Sequence, residues 1–223
     1  YASADLLARE ALQNSWDAAV QGSVDFRFEA TFTDLKERDF DDFSDVLGLK
    51  ELLQRRNELD PKVNYPDQEL MMKAVEDRSI SVLKLSDFGT TGLTGHPRLL
   101  NDSRFYRALY MLGSTHKDES SSGQGGSYGF GTSALIHASS WQSLIAYTRF
   151  EPSGDDAATS RLMAWTYWTD HKVHGQSFEG RAMFGEPREG TSPVPFENEK
   201  ADELARLLYF PSRGRSPNDY GTT

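Results

Sequence analysis

Three polar residues near the start of the chain have types and spacing suited to chemistry. At about 100° per helical residue, Glu10, Asn14 and Asp17 fall within an arc of roughly 60°, beside an apolar arc of Leu7, Ala8, Ala11, Leu12 and Ala18. A carboxylate such as Glu10 accepts a proton from a reacting water, and the amide oxygen of Asn14 suits a hard cation. The alternative is an ordinary helix whose polar edge meets water. A further carboxylate, Asp87, closes an apolar run and opens the string Asp87-Phe88-Gly89-Thr90-Thr91-Gly92, whose glycines let backbone approach a ligand closely. A third string, Gly123-Gln124-Gly125-Gly126-Ser127-Tyr128-Gly129-Phe130-Gly131-Thr132-Ser133, leads into a helical pattern. Free backbone N–H groups and the helix dipole favour a polyphosphate there.

Several better-known chemistries are excluded by what is missing. The third string lacks the Gly-Lys-Ser/Thr ending of a Walker loop and is not followed by the βαβ unit of a dinucleotide fold. Asp87-Phe88-Gly89 invites a protein-kinase reading, but no His-Arg-Asp loop precedes it and no Val-Ala-Ile-Lys strand exists. His171 and His174 have a short spacing, yet with no third His and no nearby carboxylate pattern they read as loop histidines rather than metal ligands. Trp141, Trp165 and Trp168 fall in strand candidates and read as core or sheet surface rather than base-stacking platforms.

The elements that must position these residues follow from periodicity. Residues 3–20 read as one helix, with Ser3 as N-cap and Gly22 just past its end. Residues 24–33 alternate Val24, Phe26, Phe28, Ala30 and Phe32 against polar neighbours, the pattern of a half-buried strand. Residues 34–67 are acidic and interrupted, and read as an insertion crossing the surface, with one short helix over 46–59 and no chemistry. A helix over 68–75 and a buried strand ending at Asp87 come next. Pro97 opens another helix, with Gly113 as its stop, and 114–128 is a Ser/Gly-rich loop. A helix over 132–139, strands over 141–150, 161–169 and 181–184, and a final helix over 198–208 complete the pattern. The tail, 211–223, carries too little apolar content to fold alone.

At 223 residues the chain suits one well-buried domain, and 37% hydrophobic residues with 13 Phe, 9 Tyr and 4 Trp argue for a packed core. A net charge of -10 disfavours the surface as a whole as a binder of nucleic-acid phosphates. The absence of Cys excludes a disulfide scaffold, and no apolar run approaches the ~20 residues that cross a bilayer. A soluble, intracellular (cytoplasmic) protein is expected. Its start at Tyr1 suggests an excised domain.

Taken in order, Glu10-x-x-x-Asn14-Ser15-x-Asp17-Ala18, Asp87-x-Gly89, Gly126-x-x-Gly129-x-Gly131 and Gly190-Thr191 resemble the motif series of the GHKL ATPase superfamily, over about residues 6–191. That superfamily includes type II topoisomerase ATPase domains, MutL proteins, the ninety-kilodalton heat-shock chaperones, MORC proteins and histidine kinases. The motif style is closest to the chaperone, MutL and MORC branches.

The resemblance implies an α/β fold, the two-layer Bergerat sandwich, with a mixed, mostly antiparallel sheet and helices on one face. An ATPase domain would occupy residues 1–195, and residues 196–223 would be a helix and tail leading to a downstream transducer domain. The implied function is Mg2+-dependent ATP binding and hydrolysis that drives a conformational switch or dimer clamp. An ATP-sensing dimerisation module and a phosphotransfer kinase are the alternatives.

By the same resemblance Glu10 would be the general base, and Asn14 would ligate Mg2+. Asp87 would accept the adenine amino group, Gly89 would leave room for the base, and Thr191 would support that contact. Gly126, Gly129 and Gly131 would wrap the phosphates under a lid over 114–128. Asp17, Gly92, Tyr128, Phe130 and Thr132 complete the implied nucleotide site. Where MORC-like members carry Lys, this chain has Thr132, whose hydroxyl would take that place. The implied partners are ATP, a second copy of the chain and the transducer, with no nucleic acid and no membrane.

Overall fold

The computed structural model describes residues 4–20, 25–59, 66–96, 103–110, 130–154, 156–210 and 219–223. Helix α1 (Ala4–Asp17) buries Ala11 and Ser15 and leaves Leu12 and Trp16 exposed, so its buried stripe is narrower than the apolar arc of the sequence. Strand β1 (Arg27–Lys36) pairs antiparallel with β2 (Ser79–Phe88) over ten residues, from Arg27 opposite Phe88 to Lys36 opposite Ser79. The register runs without a bulge, so residues of equal parity share a face along the whole ladder.

Between the two strands run α2 (Arg38–Leu47), α3 (Leu49–Asn57) and α4 (Gln68–Glu76). The sequence suggested an insertion crossing the surface here, and the structure corrects it. Phe40, Phe43, Leu49 and Leu59 are buried in one cluster with Trp141, Tyr147, Trp168, Leu204 and Leu208. The acidic composition concealed an amphipathic pattern: Phe40 and Phe43 are one turn apart on the inner face of α2, and Asp39, Asp42 and Asp45 occupy other positions around it. The single helix expected over 46–59 is split at Gly48, whose φ of 65° ends α2 and opens α3. Asp67 caps α4 by accepting the Leu70 N–H at 3.1 Å.

The remaining described helices are α5 (Arg104–Tyr110), α6 (Phe130–Ala138) and α7 (Asn198–Leu207). A second sheet has the order β10 (Phe196–Glu197), β4 (Ser160–Thr166), β3 (Ser143–Arg149), β11 (Gly221–Thr222), with β7 (Met183–Phe184) also on β4. Two small ladders stand apart: β5 (His171–Val173) with β6 (Gln176–Phe178), and β8 (Glu186–Arg188) with β9 (Thr191–Val194). All pairings between the described strands are antiparallel, so the architecture is mixed helix and antiparallel sheet.

Helices were expected on one face of the sheet, yet the β3–β4 pair is covered on both. Tyr147 and Leu162 pack with Ala201, Leu204 and Ala205 of α7, whereas Ala146, Met163 and Trp165 pack with Phe105 and Leu109 of α5. The uninterrupted run Leu162-Met163-Ala164-Trp165 is the local cause, since a strand buried on both faces has no polar side to present. Next to that run Arg161 is 1% exposed, with each of its three guanidinium nitrogens engaged. It donates to Glu197 at 2.9 Å, the Gly95 carbonyl at 2.8 Å and Asp156 at 2.6 Å. No helix among the described residues is long and apolar enough to cross a membrane.

Candidate functional site

Asp87 sits near the end of β2, 9% exposed, where an acceptor-only carboxylate requires donors. Three elements supply them. Ser15 Oγ of α1 donates to Oδ2 at 3.2 Å, Thr90 Oγ1 donates to Oδ1 at 2.7 Å, and the Thr222 backbone N–H of β11 donates to Oδ1 at 2.8 Å. The end of α1 is clipped to the same turn: Val20 N donates to Gly89 O at 3.2 Å, and Thr91 N to Ala18 O at 3.0 Å. Segments 72 and 135 residues apart in sequence therefore converge on one carboxylate.

The glycines after Asp87 serve chain packing. Gly89 has φ of 70°, and a Cβ there would lie 2.7 Å from the Asp25 carbonyl oxygen, so a side chain at this position would collide with the 25–26 backbone. Gly92 has φ of 64°, and a Cβ there would lie 2.4 Å from the Arg149 carbonyl oxygen.

A cavity of about 830 Å³ opens beside Asp87. Asn14, Ser15, Asp87, Thr222 and Thr223 provide polar groups on its wall, and Leu7, Phe28, Leu85, Leu144 and Trp165 are among its apolar ones. A few polar groups in a mainly apolar wall is the usual constitution of a small-molecule site, and the volume lies within the ~300–1,000 Å³ such sites span. Lys84 also lines it, donating to the Tyr209 carbonyl at 2.9 Å, and burial lowers its pKa.

The expected site residues fall into three groups. Glu10, Asn14 and Asp17 share α1, with Glu10 half-buried and Asn14 and Asp17 exposed; Asn14 reaches the cavity wall. Phe130, Gly131 and Thr132 form the first turn of α6, which packs against α1. Gly126, Tyr128, Gly129 and the lid over 114–128 lie outside the described residues.

Thr191 is not brought to Asp87. It is exposed on β9, in a ladder with β8, and its hydroxyl donates to the Ser192 carbonyl at 3.4 Å. The Gly-Thr string beside the carboxylate is Gly221-Thr222, and Thr223 Oγ1 adds a bond to Ser86 Oγ at 2.9 Å. The only signal for it in the sequence was another Gly-Thr pair, one of four in the chain, set in a tail too polar to suggest a strand.

Among the described residues no group of three or more His, Asp or Glu is arranged to hold a metal ion. His171, expected in a loop, is buried on β5. Its Nε2 accepts from Arg55 Nε at 2.8 Å and its Nδ1 lies 2.8 Å from the Thr169 carbonyl, so both ring nitrogens are engaged. His174 pairs with Glu58 at 3.1 Å. Compared with known proteins, the chain matches no protein-family model, no curated protein and no solved structure.

Proposed function

We propose that the chain binds ATP with Mg2+ in the cavity beside Asp87 and hydrolyses it to ADP and phosphate, as a GHKL-type ATPase domain. The observation that carries this reading is the Ser15–Asp87 hydrogen bond. It joins the helix of the Asn-Ser-x-Asp-Ala string to the strand end of the Asp-Phe-Gly string, two sequence motifs with no local reason to meet.

In this reading Asp87 accepts the exocyclic amino group of adenine while Ser15, Thr90 and Thr222 hold the carboxylate in place. Asn14 offers its amide oxygen to the cation, and a single protein ligand of this kind suits Mg2+, which keeps waters and substrate phosphates as its other ligands. Bound there, the ion would neutralise phosphate charge. Glu10, one turn before Asn14 on α1, orients the attacking water and accepts its proton. Closure of the glycine-rich segment and pairing of two copies around nucleotide, relayed to a transducer domain, complete the proposed cycle.

Two substitutions test it by calorimetric titration and phosphate release. Asp87→Asn places an amide donor among groups that themselves donate, and loss of a hydrogen bond to a charged group, ~1.5–3 kcal/mol, corresponds to an ATP affinity weaker by roughly 10- to 150-fold. Unchanged affinity in a folded variant removes Asp87 from the adenine site. Glu10→Ala keeps binding and loses turnover by ~100- to 10,000-fold, the usual contribution of a general base. Binding with no turnover even in the unmodified chain makes this an ATP-sensing module instead.

A further inference from the structure

Strand β1 is ten residues long, and among the described residues it pairs only with β2, which leaves its other edge as a row of backbone donors and acceptors. Ala30, Thr31 and Phe32 at its middle are all exposed, and Phe32 is 79% exposed, more than any other large hydrophobic residue among those described. Natural edges are usually blunted by proline, a bulge or inward-pointing charge. This one has no proline and an unbroken register with β2.

We propose that β1 is an interface between two copies of the chain, joined edge to edge as antiparallel strands about Phe32. A two-fold axis normal to a continuous sheet brings residues of equal parity opposite each other. Centred on Phe32, that rule sets Phe32 against the second copy's Phe32, Thr31 against Thr33, Phe28 against Lys36, and Arg27 against Glu37 just past the strand. Aromatic, Thr–Thr and opposite-charge pairs are the favourable cross-strand combinations, and in this register no like charges within β1 face each other. Moving the centre to Thr33 would oppose Glu29 and Glu37, and moving it to Thr31 would face Phe32 with Ala30 and lose the aromatic pair. The second copy thus supplies both the missing ladder partner and cover for the exposed ring. Phe32 also lines the cavity beside Asp87, so the contact is tested without nucleotide, where its failure and that of the ATP reading are read apart.

Sedimentation equilibrium on the 223-residue chain without nucleotide tests it first. The expected result is a concentration-dependent dimer that Phe32→Glu abolishes at the same loading, because two carboxylates would face each other at the axis. Since residue 32 is exposed, the variant should keep the thermal midpoint that the parent shows at concentrations where it is monomeric.

The chain has no Cys, so a single Phe32→Cys gives an unambiguous cross-link. Opposed Cα atoms in antiparallel strands lie ~4.5–5.5 Å apart, within the ~4.4–6.8 Å that a disulfide spans. Ala30→Cys is the control, since four residues of offset would separate it from its own copy by about 13 Å. Mild oxidation should give several-fold more covalent dimer from Phe32→Cys than from Ala30→Cys. A monomer at every concentration, a dimer that survives Phe32→Glu, or equal cross-linking at both positions would each overturn the proposal.

Discussion

Tyr147 shows how far one side chain can tie stability to pH. It is 1% exposed between β3 and α7, and its hydroxyl donates to Asp202 at 2.9 Å. Burial, and then the Asp202 carboxylate beside it, push the phenol pKa up to about 12. An unfolded tyrosine ionises near ~10, so the unfolded chain loses this proton first. The contribution is complete below about pH 10 and falls away as pH rises through about 12, a difference of roughly 2–3 kcal/mol. Urea unfolding across that window should show the parent losing stability more steeply than Tyr147→Phe; parallel curves would remove Tyr147 as the cause. None of this was legible from sequence, where Tyr147 was one aromatic residue in a strand pattern. The place of Asp87 near the end of β2 was legible, because it closes an apolar run, while its donors come from residues 15, 90 and 222.

Among the elements, β11 carries the largest consequence for its size. Two residues pair with β3, while Gly89 N donates to the Tyr220 carbonyl at 3.1 Å and Thr222 N to Asp87, so this short segment joins β3 to the end of β2. Thr222→Pro removes a donor to a buried carboxylate, a loss of ~1.5–3 kcal/mol. At ~2–4 °C per kcal/mol for a chain of this size, the thermal midpoint should fall by roughly 3–12 °C. Thr191→Ala, on the exposed β9, should change stability by less than about 0.5 kcal/mol. Calorimetric melts of the two variants separate the Gly-Thr pairs, and a larger loss from Thr191→Ala would reverse the assignment. The tail was unreadable as a strand because two residues are too few for periodicity. In α2 the difficulty was different, since acidic residues outnumber the aromatic ones that bury its inner face.

For the molecule as a whole, composition and period already determined a good deal. Alternation over 24–33 foretold much of β1, a short apolar run foretold β2, helix-forming composition with its end signals foretold α1, and the patterns over 68–75, 161–169 and 198–208 foretold α4, β4 and α7. These are local properties, written in how successive side chains alternate between faces. Tertiary structure alone decided which segments meet. It chose Thr222 over Thr191 as the neighbour of Asp87, drew residues 34–59 into the core, and covered β3–β4 from both sides. The physical reason is that a period states which side of an element is apolar, whereas the partner that covers that side is selected by packing and hydrogen-bond satisfaction among segments far apart in the chain.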